Sequence, residues 1–178
     1  MLKLNSKFSK YAFYFFAYSI FGWCLETLYA LLTLGHFAKR GFLFGPLCPI
    51  YGCGALILLL FFNNYKKNSM KLFFYSGIVF SVFEYFVAFL LEATLRLKCW
   101  DYSNDFFNLN GRITIFYSIA WGIIAILFIN KIHPFVNKKI DAIAKKIPQA
   151  VKYTLLHSIL ILFLVDNVFS FIKYIKLF

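Results

Sequence analysis

Five apolar runs govern what this chain can become: 11–34, 43–62, 72–95, 113–130 and 154–172. Each approaches the roughly 20 apolar residues that carry a helix across a bilayer's hydrocarbon core. Inside that core every backbone N–H and C=O must be satisfied within the protein, and an uninterrupted helix does this by itself. Composition agrees, because 62% of the residues are apolar or aromatic and 15% are charged. An average soluble domain carries roughly 25% charged residues. With a mean hydropathy of +0.73 there is too little polar surface to clothe a water-soluble globule. A disordered chain, a disulfide mini-protein and most cytosolic enzymes are thereby excluded. The expected fold is an all-α integral membrane protein with five transmembrane helices, forming a single transmembrane domain over residues 1–178.

Nineteen basic and seven acidic residues leave a net charge of +12. On a soluble protein this excess would point to nucleic acid. Here the lysines fall between the apolar runs, so the charge reads as topology and the lipid bilayer is the expected partner. With the N-terminus in the cytoplasm, one side collects Lys3, Lys7, Lys10, Lys66, Lys67, Lys71, Lys131, Lys138, Lys139, Lys145, Lys146 and Lys152. The other collects Lys39, Arg40, Arg96, Lys98, Arg112, Lys173 and Lys176, partly offset by Asp101 and Asp105. The positive-inside rule then favours a cytoplasmic N-terminus and a C-terminus on the outer side. The first run follows lysines as a signal peptide would, but it is too long and lacks a small-residue cleavage site, so it is expected to stay as a helix.

Two departures from plain spans stand out. Pro46 and Pro49 sit near the start of the second run, which predicts a broken or re-entrant beginning to that helix. In the fourth linker, Val136, Ile140, Ile143 and Ile147 are spaced to share one helical face, with Lys138, Lys139, Asp141, Lys145 and Lys146 on the other. A short amphipathic interfacial helix over 134–147 follows, resting on anionic lipid. A docking surface for a cytoplasmic protein is the alternative.

Acidic groups in a span cost about 2.5–3.5 kcal/mol each at a helix centre. Of the seven acidic residues, Glu26, Glu84, Glu92 and Asp166 nonetheless lie within apolar runs. Glu84, Ala88, Glu92 and Arg96 recur every fourth residue and form one stripe, on which Glu92 and Arg96 can pair. Tyr18, Gly22, Glu26 and Ala30 form a similar stripe, with small residues that permit close helix approach. These carboxylates either fix the bundle through arginines and backbone amides or line a functional site. Glu84 has no evident local partner, and protonation would also lower its burial cost. His157 and Asp166 fall on opposite helix faces, and His36 and His133 have no ligand spacing. Cys24, Cys48, Cys53 and Cys99 make neither a disulfide framework nor a metal signature, and Cys48 and Cys53 read as small packed residues. No cofactor or metal is expected.

Two linkers on the expected outer side are unusual. Residues 40–54, RGFLFGPLCPIYGCG, set helix-breaking glycines and prolines in an apolar background. Broken backbone at membrane depth is tolerated around a buried site or a cavity. Residues 98–112, KCWDYSNDFFNLNGR, are rich in Trp, Asp, Tyr and Asn. Arg40, Arg96 and Arg112 all fall at this face. The candidate site is therefore a polar centre beneath the two linkers, built from Glu26, Arg40, Glu84, Glu92, Arg96, Trp100, Asp101, Tyr102 and Arg112. Capped turns with interfacial anchors are the plainer reading of the same residues.

The runs YSIFGWCLETLY (18–29), RGFLFGPLCPIYGCG (40–54), EYFVAFLLEATL (84–95), WDYS (100–103) and NLNGRITI (108–115) resemble, in order, the ABC-transporter type IV, or CmpB-like permease, family. The resemblance covers about residues 12–130, and the C-terminal part carries no matching motif. It implies a multi-pass protein of the bacterial inner membrane that acts as a permease component. The motif positions present here include Gly22, Trp23, Glu26, Arg40, Gly41, Gly45, Pro46, Pro49, Tyr51, Gly52, Glu84, Glu92, Trp100, Asp101, Tyr102, Gly111 and Arg112. The chain has no phosphate-binding loop of the Gly-rich, Lys-Ser/Thr type. Energy would therefore come from a cytoplasmic ATPase subunit docked on the 63–71 and 131–153 linkers. Five spans are few for a pathway, so a homo-oligomer or a second membrane subunit is expected. Two alternatives stay open. One is an intramembrane enzyme, since Glu92-x-x-x-Arg96 resembles part of the prenyl-protease pattern but lacks its doubled glutamate and further histidines. The other is an accessory or scaffold subunit.

Overall fold

The computed structural model describes residues 6–175. In chain order these form α1 (Ser6–Leu34), α2 (Pro49–Ile57), α3 (Ser69–Leu95), the strands β1 (Asn108–Leu109) and β2 (Ile113–Thr114), α4 (Ile115–Leu127), α5 (His133–Lys146) and α6 (Gln149–Ile175). Among the described residues, four helical stretches are long and apolar enough to cross a membrane: Lys7–Leu34, Ser69–Leu95, Ile115–Lys146 and Gln149–Ile175. A shorter apolar helix, Pro49–Tyr65, stands where the second run was expected. The all-α membrane class read from the sequence is thus the class observed.

The short helix has the broken start that its prolines predict. Residues 35–48 are irregular, and the helix begins at Pro49, where a ring-locked φ and a missing N–H suit a first turn. Beyond Ile57 it loosens into a π turn (Leu58–Phe62) and ends in a 3₁₀ turn (Asn63–Tyr65). Asn68 then caps α3, its side chain accepting from the Lys71 N–H at 3.0 Å. The other end of α3 closes on Arg96, which adopts a left-handed φ of 46° while its N–H donates to the Glu92 carbonyl.

The amphipathic segment is helical, as its periodicity requires, but it begins at His133 and is continuous with α4. The two join through a π turn, Phe128–Ile132. Pro134 explains the join, since it offers no N–H and its ring would clash with the carbonyl of Asn130 in a regular α-helix. Shifting to the wider repeat one turn earlier relieves both problems. The Asn130 side chain meanwhile donates to the Ile126 carbonyl at 3.0 Å. The stretch Ile115–Lys146 has 32 residues. At about 1.5 Å per residue its length exceeds a hydrocarbon core, so the lysine-bearing turns extend past the apolar part.

The chain divides into two compact units, one running through Leu56 and resuming at Ile143, the other spanning Ile57–Ala142. In the first, α1, the 35–48 segment, α2 and α6 pack through small residues and rings. A Cβ on Gly52 would stand 2.6 Å from the Phe15 carbonyl oxygen, so only glycine admits this approach of α2 to α1. Phe15 and Phe16 meet Phe163 edge-on at 5.5 and 5.6 Å between centroids. In the second unit, α3 and α4 approach through Gly77 and Ser81 on one helix and Ser118 and Gly122 on the other. The Ser81 hydroxyl donates to that of Ser118 at 2.6 Å, and a Cβ on Gly122 would lie 2.9 Å from the Phe73 carbonyl oxygen. Small residues four apart on both partners are the usual means of close packing in lipid, where helices gain no hydrophobic drive to associate. Ile161, Leu162, Leu164, Val165, Val168 and Phe169 of α6 are exposed, an ordinary surface for acyl chains and an unusual one for water.

Candidate functional site

Within the second unit, α3 carries Glu84 and Glu92 two turns apart, and the segment 96–114 folds back over them. The segment is shaped by a tight hairpin. Asn110 and Gly111 both have positive φ, 54° and 68°, and the Arg112 N–H returns to the Leu109 carbonyl at 3.0 Å. This is the type I′ geometry that Asn-Gly favours. The turn pairs Asn108 with Thr114 and Leu109 with Ile113, and Thr114 caps α4 by accepting from the Phe116 N–H.

Glu84 is 6% exposed. Its two oxygens take one neutral donor each, the Tyr102 hydroxyl at 3.0 Å and the Trp121 indole N–H at 2.8 Å. Tyr102 is itself held from two directions. Its ring stacks on Tyr117 at 4.5 Å, and its N–H donates to the Gly111 carbonyl at 2.8 Å. The hairpin thus aims a hydroxyl at a buried carboxyl, and Trp121, packed on Phe80, aims a second donor from α4. Both donors remain satisfied if the group is ionised, and among the described residues no salt bridge reaches it.

Glu92 is treated differently. Arg112 reaches its Oε2 with Nε at 3.0 Å and Nη2 at 2.5 Å, while Nη1 lies 3.1 Å from the Tyr85 hydroxyl. The guanidinium also faces the rings of Tyr85 and Phe89. Hydrogen bonding to Glu92, above all, holds the Arg112 pKa above its ordinary value. Trp100 locks the backbone of the same residue, its indole N–H donating to the Arg112 carbonyl at 3.0 Å. A salt bridge to Glu92 therefore comes from twenty residues along the chain, and Arg96, four residues from Glu92, forms the helix cap. Asp101 faces outward, salt-bridged to Lys98 at 3.0 Å and accepting from the Ser103 hydroxyl and N–H. Those Ser103 bonds, followed by Lys98, lower the Asp101 pKa to about 2. Asp101 belongs to the loop's own architecture.

In the first unit, Gly22 of α1 leaves room for the Tyr51 ring of α2, and the Tyr51 hydroxyl donates to Glu26 at 2.5 Å. Arg40 is half-buried, and its Nε is sealed from solvent without a hydrogen-bond partner among the described residues. Asp166 is the acid whose role the sequence reading left unassigned. It accepts from the backbone N–H groups of Phe44 and Gly45, each at 2.8 Å, and from the Ser170 hydroxyl at 3.1 Å. A carboxylate on α6 thereby satisfies backbone that the irregular 35–48 segment cannot pair within itself. Close to it, the Cys48 N–H donates to the Ser19 carbonyl of α1 at 3.0 Å, so both helices hold the segment.

Each unusual linker thus engages carboxylates of its own unit: 35–48 with Asp166, and 96–114 with Glu84 and Glu92. Trp100, Tyr102 and Arg112 make the contacts just described. Tyr51, Tyr85, Trp121 and Asp166 complete the polar centres and were absent from the sequence-derived set. Tyr51 carried a signal as a tyrosine in the first helical turn after a glycine- and proline-rich break, and Asn110-Gly111 was a hairpin signal left unused. Trp121 had none, because its partner lies on another helix. Among the described residues, no three His, Cys, Asp or Glu side chains gather in a metal-holding group.

The family model described as Putative ABC-transporter type IV matches residues 13–171. The match runs past residue 130, where recognisable motifs end, through α5 and most of α6. No curated protein matches the chain, and no solved structure does.

Proposed function

The chain belongs to the ABC-transporter type IV family, an ABC-transporter-type membrane component, and from that premise we propose that Glu84 is the polar group its cargo meets. The buried state of Glu84 carries the reading. A carboxyl inside a span costs about 2.5–3.5 kcal/mol on insertion scales, and a structural role would be expected to recover this through a cation or backbone amides. Glu92 has Arg112 and Asp166 has two amides. Among the described residues, the hydrogen bonds to Glu84 come from the neutral Tyr102 and Trp121 donors, which orient it without neutralising it. Such a group is free to exchange a neutral donor for a cationic or hydrogen-bonding cargo.

The polar centres lie beneath the two linkers at the outer face, with the N-terminus in the cytoplasm of a bacterial cell. A separate ATPase engages the lysine-bearing surfaces at 63–71 and 131–153, and the chain works as a homo-oligomer or beside a second membrane subunit. The test is purification of the tagged full chain from its native membrane, with mass spectrometry of whatever accompanies it. A nucleotide-hydrolysing subunit at fixed stoichiometry is expected, and its reproducible absence removes the ATP-coupled reading. Glu84→Gln should keep the membrane level and the ATPase association while abolishing the cell's transport phenotype. Loss of the protein from the membrane would assign Glu84 to structure.

A further inference from the structure

A groove of about 680 Å³ lies within the first unit, between α1, the 35–48 segment and α6. Ile20, Phe44, Leu162, Val165 and Phe169 give it an apolar lining, and all five are exposed. Along α6 it runs from Ile159 to Phe169, about 15 Å at helical rise, a length that suits an extended acyl chain. Two lysines gather at the Phe44 end. The ammonium groups of Lys39 and Lys173 stand over the same Phe44 ring, at 4.5 and 5.0 Å from its centroid.

Neither lysine takes a salt bridge among the described residues. Asp166 is near, but its oxygens already accept from Phe44, Gly45 and Ser170, and two cations outnumber one carboxylate. Burial first, then the proximity of Lys173, lowers the Lys39 pKa, with Asp166 opposing in part. Two ammonium groups over one ring, with a single carboxylate nearby, leave positive charge under-compensated. Apolar wall and paired cations together match the two ends of one kind of molecule. We propose that this groove binds an anionic phospholipid, one acyl chain lying along the α6 wall and the phosphate bridging Lys39 and Lys173. The Asp166 clamp is then what shapes the site, because it holds Phe44 where both lysines can share its ring.

The test is native mass spectrometry of the delipidated full chain in detergent, offered phosphatidylglycerol or phosphatidylcholine at equal concentration. A bound phosphatidylglycerol is expected, with a preference over phosphatidylcholine of about fivefold for each lysine engaged. The K39Q/K173Q double variant should lose that preference. L162W, which fills the groove and leaves the lysines intact, should weaken phosphatidylglycerol retention, and it decides the matter should the double variant fail to fold. Equal retention of the two lipids, or a preference that survives K39Q/K173Q, would overturn the proposal.

Discussion

Removing the Asp166 carboxylate should release the 35–48 segment, and the size of the effect follows from the bonds it makes. Asp166→Ala deprives two backbone amides of their acceptor at once. The Gly45 N–H is half-buried, so its loss carries most of the penalty for an unsatisfied buried donor, about 1–3 kcal/mol. The Phe44 N–H is exposed and can turn to water or a headgroup, which reduces its share to about 0.5–1.5 kcal/mol. Together the clamp is worth about 2–4 kcal/mol to the closed segment. Since 1.4 kcal/mol is about tenfold, the open population should rise about 30-fold or more. Cys48 reports this directly, being 5% exposed and bonded through its N–H to Ser19. With Cys24, Cys53 and Cys99 replaced by serine, maleimide labelling of Cys48 in bicelles should accelerate by that factor, because labelling tracks the open fraction when reclosing is fast. Asp166→Asn keeps one carbonyl acceptor and should fall between. A labelling rate within about twofold of wild type in Asp166→Ala would refute the argument, since it would leave the clamp less than about 0.5 kcal/mol.

Three further outcomes are expected. Exchanging the charges singly, as Glu92→Arg or Arg112→Glu, should lower the folded protein recovered from membranes, and the double exchange should restore part of it; no recovery would make the aromatic contacts of Arg112 the dominant part of its role. Gly111→Ala forces a Cβ to φ +68° and to 2.8 Å from an Asp101 oxygen, so it should lower stability by about 1–2 kcal/mol or more and expose the 96–114 segment to proteolysis. Asp101 is depressed in the folded state, to about 2 against an ordinary value near 3.9. Its contribution is therefore complete above about pH 4, and it fades as pH falls toward 2. Its carboxyl carbon should titrate with a midpoint near 2 by NMR, whereas a midpoint near 4 would show that the Ser103 and Lys98 contacts do not persist in solution.

Much of the site was legible as residue types and little of it as pairings. Glu26, Glu84, Glu92 and Asp166 announce themselves because a carboxylate in an apolar run is costly wherever the helix is packed. Helical spacing allows Glu92 to pair with Arg96, and the structure adds a salt bridge to Glu92 from Arg112, across a hairpin that has no counterpart in that spacing. Asn110-Gly111 carried that hairpin locally, and it was overlooked among the polar residues of the linker. The small residues Gly77, Ser81, Ser118 and Gly122 likewise held the α3–α4 contact in plain four-residue spacing.

Local properties account for what the sequence determined alone. The hydropathy and length of the runs decide that the chain spans a membrane, since every backbone group there must be satisfied within one helix. Pro46 and Pro49 decide that the second apolar helix starts late and falls short of a full span, and Pro134 that the fourth helix changes its repeat before it. These effects act over one or two turns, so no tertiary knowledge is needed to read them. The partners of the acids are another matter. Asp166 meets the N–H groups of Phe44 and Gly45, more than a hundred residues away, and a backbone amide has no letter in the sequence to mark it. Glu84 meets Tyr102 and Trp121 only because the hairpin folds back over α3 and α4 packs beside it. Which acids are balanced by charge, which by backbone and which by neutral donors was decided in three dimensions, where groups distant along the chain share one low-dielectric space.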